Sequence, residues 1–194
     1  GADTTGSLFL TPDGRFLNHA PNPESAAAMD SIRAAVLEHK ADFGIIFDTD
    51  VDRAGAVLAD GSELNRNRLI AILSAILLRE HPGATIVTDS ITSTGLAEFI
   101  AAHGGVHRRF KRGYRNVINE AERLCAAGQE AEMAIETSGH GALRENYFLD
   151  DGAYLMVKLL IELARARKEG RTLESLLAGL KEPVESLEFR MALN

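Results

Sequence analysis

The stretch that decides the fold is FGIIFDTDVDR, residues 43–53. Its first half, Phe43 to Phe47, is an unbroken apolar run of the length of a buried strand. Its second half, Asp48 to Arg53, carries three carboxylates at alternate positions and is called the aspartate loop below. Carboxylates that directly follow a buried strand are typical of α/β folds, in which ligands bind beyond the carboxyl ends of the strands.

Two predicted elements flank this stretch. Before it, apolar residues recur with a helical period from Glu24 to His39. After it, Ala54 to Leu58 is predicted to return as a second short strand before the Asp60-Gly61 turn. The residues ahead of Glu24 are rich in Gly, Pro, Asn and Thr, which predicts turns and an extended linker.

From Leu64 onward the pattern alternates between helical and strand periods. Helices are predicted over Arg66 to Glu80, Thr94 to His103 and Val117 to Ala127, and strands over Ala84 to Thr88, Val106 to Phe110 and Met133 to Glu136. The remaining predictions are two helices, Asp151 to Lys168 and Thr172 to Gly179, and a strand-like segment, Glu188 to Met191. Such alternation predicts a parallel sheet covered by helices on both faces. The predicted fold class is therefore α/β, a three-layer α/β/α arrangement with mostly parallel sheets.

Composition and charge narrow the classes of partner. The 194 residues are 45% hydrophobic, and 28 acidic against 21 basic residues give a formal net charge of -7. No Lys/Arg-rich run supplies the basic surface that nucleic-acid binding needs, so no nucleic-acid partner is predicted. No apolar run reaches the roughly 20 residues that span a bilayer, and no signal segment is seen, so no membrane association is predicted. The single cysteine, Cys125, is predicted to be an inert, half-buried thiol, and a cytoplasmic location is expected.

The aspartate loop brings three carboxylates close together. Asp48, Asp50 and Asp52 would repel one another, so either they splay into solvent as an acidic surface turn or a cation holds them. Their position after a strand favours the cation, and hard oxygen ligands suit Mg²⁺ or Ca²⁺. A calcium EF-hand is excluded because it needs Gly at the sixth position and Glu at the twelfth, where Arg53 and Ala59 stand.

A haloacid-dehalogenase-type phosphatase is an alternative that the aspartate loop leaves open. Such an enzyme begins with an apolar strand and an Asp-x-Asp loop, which Asp48 as nucleophile and Asp50 as acid match. The Asp150-Asp151 pair could mimic its later acidic motif. Two positions after the second Asp that family usually has Thr or Val, whereas Asp52 stands here.

The aspartate loop also resembles the Asp-x-Asp-x-Asp-Arg loop of the α-D-phosphohexomutases, the phosphoglucomutase/phosphomannomutase family. Asp48, Asp50, Asp52 and Arg53 match it at all four charged positions, and Val51 is one of two positions where that family commonly has Gly. The resemblance implies that the three aspartates bind Mg²⁺. It also implies that Arg53 contributes to the charge balance of phosphoryl transfer.

A second loop supports the same resemblance. Glu136 to His140, with the sequence ETSGH, follows a predicted strand and is similar to the sugar-recognition loop of the family; it is called the ETSGH loop below. A carboxylate and a hydroxyl on one tight loop can exchange hydrogen bonds with neighbouring sugar hydroxyls. The resemblance implies that Glu136 and Ser138 hold the sugar, and that His140 is a proton carrier or a further sugar contact. The alternatives are Ser138 as a helix N-cap and His140 as a surface turn residue.

Two weaker matches follow the expected order. Lys111 to Arg115 resembles the Gly-aromatic-basic loop near the substrate of these enzymes, where Arg115 would carry the basic role; a solvated basic turn is the alternative. Asp151-Gly152, at the start of a predicted helix, is similar to the family's segment after the sugar loop.

The resemblance implies two consecutive related domains, the first incomplete. Residues 1–62 are expected to form the C-terminal part of the second domain with the metal loop, and residues 63–182 the third domain with the sugar loop. Residues 183–194 are expected to lead toward an absent fourth domain. The phosphoserine domain and the phosphate-clamp domain, the first and fourth of such enzymes, are expected partners outside this chain.

The activity implied by the resemblance is interconversion of hexose 1-phosphate and hexose 6-phosphate, of glucose or mannose, through a phosphoserine enzyme and a bisphosphate intermediate. This chain alone is expected to be inactive. The phosphatase remains one alternative, and a non-catalytic sugar-phosphate-binding module is the other.

Overall fold

A computed structural model describes residues 2–185, 187 and 191. The helices within them are α1 (Ala26–His39), α2 (Arg66–Glu80), α3 (Thr94–Ala102), α4 (Tyr114–Ala126) and α5 (Gly152–Lys168). The strands are β1 (Phe43–Phe47), β2 (Ala54–Leu58), β3 (Thr85–Thr88), β4 (Val106–Arg109), β5 (Ala131–Ile135) and β6 (Gly141–Leu143). Short 3-10 turns cover Arg144–Asn146 and Leu173–Leu177.

Most predicted elements are present, with shifts of a few residues at their ends. The bounds of β1, β2 and α2 agree with the prediction. α4 begins at Tyr114 rather than at Val117, directly after Gly113, whose φ of 116° turns the chain into the helix. β6 was not predicted, because a strand of three residues is too short to show a period.

The prediction of a helix from Thr172 to Gly179 was wrong in kind. Only a 3-10 turn forms there, Leu173–Leu177. The glycines that bracket it, Gly170 and Gly179, both have positive φ, so the segment between them is too short for a stable α-helix. The strand predicted over Glu188 to Met191 lies, apart from Met191, outside the described residues.

The first unit is a hairpin packed on one helix. β1 and β2 pair antiparallel, and Phe47 opposite Ala54 is the last pair before the aspartate loop. That loop is therefore the connection of the hairpin. α1 covers the hairpin through a small core made by Ala28, Met29, Val36, Ile46 and Val57.

The second unit is a four-stranded sheet in the order β4-β3-β5-β6. β3 is parallel to both β4 and β5, and the short β6 runs antiparallel to β5. In the β3–β5 pair Thr88 lies opposite Ile135. The next residues, Asp89 and Glu136, therefore emerge side by side at the carboxyl edge of the sheet.

Helices cover both faces of this sheet, which confirms the predicted three-layer α/β/α fold. Ile86 and Met133 belong to the large core built with α2, α3 and α5. Val87 and Ala134, the next residues along each strand, belong to a second core built with α4. Successive side chains point to opposite faces of a strand, so both faces are buried.

Two smaller predictions can be compared with the structure. Cys125 is a free, partly buried thiol on α4, and its Sγ donates to the carbonyl oxygen of Ala131 at 3.5 Å. Among the described residues, none of the helices combines the length and the apolar character that crossing a membrane requires.

Candidate functional site

The aspartate loop and the ETSGH loop meet directly. Arg53 and His140 form an antiparallel bridge between them. Gly139 has a φ of 101°, and a Cβ atom there would lie 2.8 Å from the carbonyl oxygen of Ala54. Only glycine combines this backbone conformation with so close an approach, so the contact between the loops depends on it.

The start of α5 touches the aspartate loop as well. The backbone N–H of Gly152 donates to the carbonyl oxygen of Val51 at 3.0 Å. A Cβ atom on Gly152 would come within 2.9 Å of that oxygen. The Asp-Gly pair noted in the sequence thus supports the aspartate loop.

The three predicted metal ligands converge. Asp48, Asp50 and Asp52 each bring one carboxylate oxygen to within 4.8 Å of the others. Asp48 is buried, Asp50 is exposed and Asp52 lies between these extremes. The group clusters hard oxygen atoms, the kind of ligand that Mg²⁺ prefers.

Arg53 holds one end of this cluster. Its Nε donates to Oδ2 of Asp48 at 2.8 Å, and its backbone N–H donates to Oδ1 of Asp48 at 3.2 Å. Burial acts against ionisation of Asp48, but the hydrogen bonds from Arg53 outweigh it and lower the pKa of that carboxyl. Asp48 is therefore an oriented carboxylate that favours the ionised form.

Asp52 is the unsatisfied member of the cluster. Burial and the neighbouring Asp48 carboxylate raise the pKa of Asp52 to about 6. Its Oδ1 is buried and has no hydrogen-bond partner among the described residues. A cation would supply the missing partner for this oxygen.

In the ETSGH loop the carboxylate is held by a neighbouring loop. Glu136 is buried, and its Oε1 accepts a hydrogen bond of 2.6 Å from the backbone N–H of Gly113, in the β4–α4 connection. Its Oε2 lies 3.5 Å from the Oγ of Ser138. Burial raises the pKa of Glu136, the hydrogen bond from Gly113 lowers it, and the nearby Asp89 carboxylate adds to the rise.

His140 lies between two carboxylates. Its Nδ1 is 2.8 Å from Oδ2 of Asp150 and 3.6 Å from Oδ2 of Asp52. The ring of Tyr114 stacks on the imidazole with 4.9 Å between the ring centroids. Burial acts to lower the pKa of His140, but the hydrogen bond and charge of Asp150 raise it overall.

The structure disagrees with the two alternative roles considered for Ser138 and His140 of the ETSGH loop. Ser138 precedes β6 rather than a helix, so the N-cap alternative is wrong. His140 is partly buried and paired, so it is not a free surface turn residue.

Two arginines at the β4–α4 connection, Arg112 and Arg115, differ in their relation to the ETSGH loop. Arg115, predicted to bind substrate, is exposed in the first turn of α4. Arg112 is the cation whose charge lowers the pKa of both Asp89 and Glu136. Positive charge thus reaches Glu136 from His140 within the ETSGH loop and from Arg112 in the neighbouring connection, and the role of Arg115 stays a prediction.

A cavity of about 200 Å³ adjoins the turn of the ETSGH loop. Ser138 and Gly139 line it together with Pro23, Asn65 and Arg66. Ser138 therefore borders space that a ligand can enter.

Sequence reasoning missed three residues of this site as such: Asp89, Tyr114 in its stack on His140, and Asp150 as the partner of His140. A signal for Asp89 was present, because it directly follows the buried strand β3 as Asp48 follows β1. The pairing of His140 with Asp150 depends on how β5, β6 and α5 are placed, which no local pattern reports.

The geometry of Asp48 disfavours the phosphatase alternative. Both of its carboxylate oxygens accept hydrogen bonds from Arg53, and only 1% of its side chain is exposed. A nucleophile needs a free oxygen that faces the substrate. Asp150 and Asp151 are also engaged, with His140 and with the N–H of Tyr154 at the start of α5.

Comparison with protein families identifies both units. The family described as "Phosphoglucomutase/phosphomannomutase, alpha/beta/alpha domain II" matches residues 3–61. The family described as "Phosphoglucomutase/phosphomannomutase, alpha/beta/alpha domain III" matches residues 65–183.

Individual relatives and a solved structure agree with these matches. A phosphomannomutase/phosphoglucomutase of Pseudomonas syringae pv. tomato is 35% identical over 155 residues, which are 79% of this chain and 32% of that protein. A phosphoglucomutase of Neisseria gonorrhoeae is 30% identical over 177 residues, 91% of this chain and 37% of that protein. The crystal structure of a phosphoglucomutase/phosphomannomutase family protein from Burkholderia thailandensis superposes with a TM-score of 0.76 at 32% identity, covering 89% of this chain and 36% of that one. The chain thus spans about a third of the length of these relatives.

Proposed function

The chain belongs to the phosphoglucomutase/phosphomannomutase family, and from that premise we propose that it supplies the metal-binding and sugar-binding loops of an enzyme that interconverts hexose 1-phosphate and hexose 6-phosphate. The observation that carries the proposal is the direct contact of the two loops at Arg53 and His140. Because the relatives are about three times as long, the activity is proposed for an assembly that also holds a phosphoserine and a phosphate clamp. In that scheme the phosphoserine gives its phosphoryl group to the sugar, and a hexose bisphosphate is the intermediate.

The aspartate loop is proposed to bind Mg²⁺. Asp48, Asp50 and Asp52 offer clustered carboxylate oxygens, and the buried Oδ1 of Asp52 lies 3.8 Å from the Nε of Arg53 but has no hydrogen-bond partner among the described residues. Mg²⁺ held there would neutralise the charge that develops on the transferring phosphoryl oxygens. Arg53 keeps Asp48 ionised and oriented, and adds one positive charge to the same place.

The ETSGH loop is proposed to hold the sugar by its hydroxyl groups. Gly113 occupies one oxygen of Glu136, which leaves Oε2 beside the hydroxyl of Ser138. This pair can accept from one sugar hydroxyl and donate to the next. Arg112 and Arg115, on the β4–α4 connection, are proposed to attract the phosphate of the substrate.

His140 is proposed to carry the proton exchanged with the reacting hydroxyl. Its Nδ1 faces Asp150, which leaves Nε2 to exchange the proton. The carboxylate of Asp150 favours the protonated imidazole, so the ring can act as an acid near neutral pH.

Glucose and mannose phosphates are the proposed substrates, in keeping with the Glu-x-Ser pattern of Glu136 and Ser138 and with the names of the relatives. A cytoplasmic location is proposed with them, since such metabolites are found there. The proposed partners are the phosphoserine domain and the phosphate-clamp domain.

Isothermal calorimetry tests the binding part of the proposal. The chain is titrated with glucose 1,6-bisphosphate in the presence of Mg²⁺, alone and as Glu136→Gln and Asp50→Asn. Each substitution is expected to weaken binding at least about tenfold, because each removes a charged hydrogen-bond or metal ligand. Asp60→Asn removes an equal charge in an exposed turn and should bind like the wild type. Equal affinities in all four proteins would overturn the proposal.

Turnover is tested separately. The proposed scheme takes its phosphoryl group from a phosphoserine domain outside residues 1–194, so these residues alone are expected to convert no glucose 1-phosphate to glucose 6-phosphate. A coupled dehydrogenase assay on contaminant-free protein checks this. Conversion by the chain alone would show that the phosphoserine scheme is wrong.

A further inference from the structure

Asp89 is a fully buried carboxylate outside both loops. It directly follows β3 and exposes none of its surface. Its Oδ2 accepts a hydrogen bond of 2.9 Å from the hydroxyl of Thr137 and one of 3.3 Å from the backbone N–H of Thr137. Its Oδ1 is also buried and finds no hydrogen-bond partner among the described residues. Burying a carboxylate in this way costs stability, so packing alone does not account for it.

The partner of Asp89 lies in the middle of the ETSGH loop. Thr137 stands between Glu136 and Ser138, the two residues proposed to hold the sugar. Two hydrogen bonds to Thr137 fix both its backbone and its side chain. The side chains of its neighbours, Glu136 and Ser138, therefore project from a fixed backbone.

A second neighbouring strand end holds the same loop. The sheet order places β3 between β4 and β5. The connection after β4 donates the N–H of Gly113 to Glu136, while the residue after β3, Asp89, accepts from Thr137. The ETSGH loop is thus fixed by contacts from two strand ends before any ligand binds.

From these contacts we infer that Asp89 is a positioning residue for the sugar: it holds Thr137 and thereby sets where Glu136 and Ser138 present their oxygen atoms. The inference rests on the proposed function of the ETSGH loop. Asp89 itself is too deeply buried to touch the sugar. Burial raises the pKa of Asp89. The hydrogen bonds from Thr137 oppose that rise, because they stabilise the ionised carboxylate.

The main test compares two substitutions of Thr137. Thr137→Val keeps the shape and removes the hydroxyl, whereas Thr137→Ser keeps the hydroxyl. Calorimetry measures the affinity for glucose 1,6-bisphosphate and, separately, for Mg²⁺. Thr137→Val is expected to lower the sugar-phosphate affinity about tenfold and Thr137→Ser less than about twofold. The Mg²⁺ affinity should be unchanged in both, because the aspartate loop does not depend on Thr137.

A double-mutant cycle assigns the effect to Asp89. Asp89→Asn keeps the size of the side chain and an oxygen acceptor but removes the charge, so it should lower the sugar-phosphate affinity by about threefold. The double variant D89N/T137V should lose less affinity than the sum of the two single losses, because both substitutions weaken the hydrogen bond between the Thr137 hydroxyl and Asp89, while the backbone bond to Thr137 remains. Fully additive losses would overturn the inference.

The outcomes separate this inference from the proposed function. A wild type that binds Mg²⁺ but no sugar phosphate would overturn the proposed function and the inference together. A wild type that binds, with Thr137→Val as tight as Thr137→Ser, would overturn the inference alone. Parallel loss of Mg²⁺ and sugar-phosphate affinity in Thr137→Val would indicate general loss of structure and would also overturn it.

Discussion

The aspartate loop and the ETSGH loop both follow buried strands, yet they satisfy their polar groups in different ways. In the ETSGH loop the polar side chains have partners within the protein: Gly113 for Glu136, Asp89 for Thr137 and Asp150 for His140. In the aspartate loop Asp48 is held by hydrogen bonds from Arg53 and Asp50 is exposed, while Asp52 keeps a buried oxygen without a hydrogen-bond partner among the described residues.

This difference indicates two kinds of site. The hydrogen bonds of the ETSGH loop are already made within the protein, so the proposed binding of a sugar would cost it little conformational entropy. The aspartate loop holds three carboxylates that repel one another until a cation joins them. The two loops touch where Gly139 meets Ala54, so a change at that contact reaches both.

The largest expected effect comes from forcing the loops apart. Gly139→Ala places a methyl group 2.8 Å from the carbonyl oxygen of Ala54 on a backbone with a φ of 101°. We expect it to lower the free energy of unfolding by about 2–4 kcal/mol, measured by urea denaturation. Gly128→Ala is the control, because its φ is 82° but nothing lies within 4 Å of the added methyl. That control should cost only about 1 kcal/mol; equal costs would show that the loops do not press on each other at Gly139.

A smaller effect is expected on the free energy of unfolding at acidic pH, through His107 of β4. His107 donates to or accepts from the hydroxyl of Thr88, next to Asp89, at 2.8 Å. Burial, with the nearby charge of Arg109, lowers the pKa of His107 to about 4 from 6.5. Because the folded pKa is depressed, the stabilisation is complete above pH 6.5 and is lost as the pH falls toward 4.

The measurement is the free energy of unfolding as a function of pH for the wild type and His107→Gln. Between pH 6.5 and 4 the wild type should lose up to about 1.4 kcal/mol more per pH unit than the variant. Titrating carboxylates contribute equally to both proteins, so the difference belongs to His107. Parallel curves would mean that His107 is not buried as a neutral ring.

How much of this was predictable depends on whether the signal is local. β1, β2 and α2 could be predicted because apolar runs and helical periods lie within the segments themselves. The clustering of Asp48, Asp50 and Asp52 could be predicted for the same reason, since alternate spacing after a strand is a local pattern. β6 could not, because three residues become a strand only by pairing with β5.

The support of the ETSGH loop was beyond prediction for a related reason. Asp89 and Thr137 are 48 positions apart in the chain and meet only because β3 and β5 are neighbours. Tyr114 reaches His140 from the first turn of α4, which begins earlier than its apolar period suggests. Such contacts depend on the order of strands in the sheet, which periodicity does not give.

The charges around the two loops offer a third comparison. The aspartate loop contains its own arginine, Arg53, whereas the carboxylate of Glu136 is acted on by His140 of the same loop and by Arg112 of the neighbouring connection. Arg112→Gln is expected to raise the pKa of Glu136 further and to weaken sugar-phosphate binding several-fold, about 3–10-fold. Arg115→Gln should weaken binding to a similar or smaller extent without moving the pKa of Glu136. Carbon-13 NMR of the Glu136 carboxyl and calorimetry separate the two; a shifted Glu136 pKa in Arg115→Gln would reassign the charge.

The smallest expected effect is on the free energy of unfolding and comes from backbone strain, which differs between the two loops. The ETSGH loop has glycine at its positive φ, at Gly139, whereas the aspartate loop has Val51 with a φ of 65°. A β-branched residue in the left-handed region costs roughly 1–2 kcal/mol, and glycine recovers part of this at an entropic cost of about 0.5–1 kcal/mol. Val51→Gly should therefore be more stable than Val51→Ala, which keeps the strain, by up to about 1 kcal/mol in urea denaturation. Val51→Gly should also weaken Mg²⁺ binding slightly, because a more flexible loop must be ordered when the cation binds. If Val51→Ala were the more stable variant, the entropic cost of glycine would exceed the relief of backbone strain at residue 51.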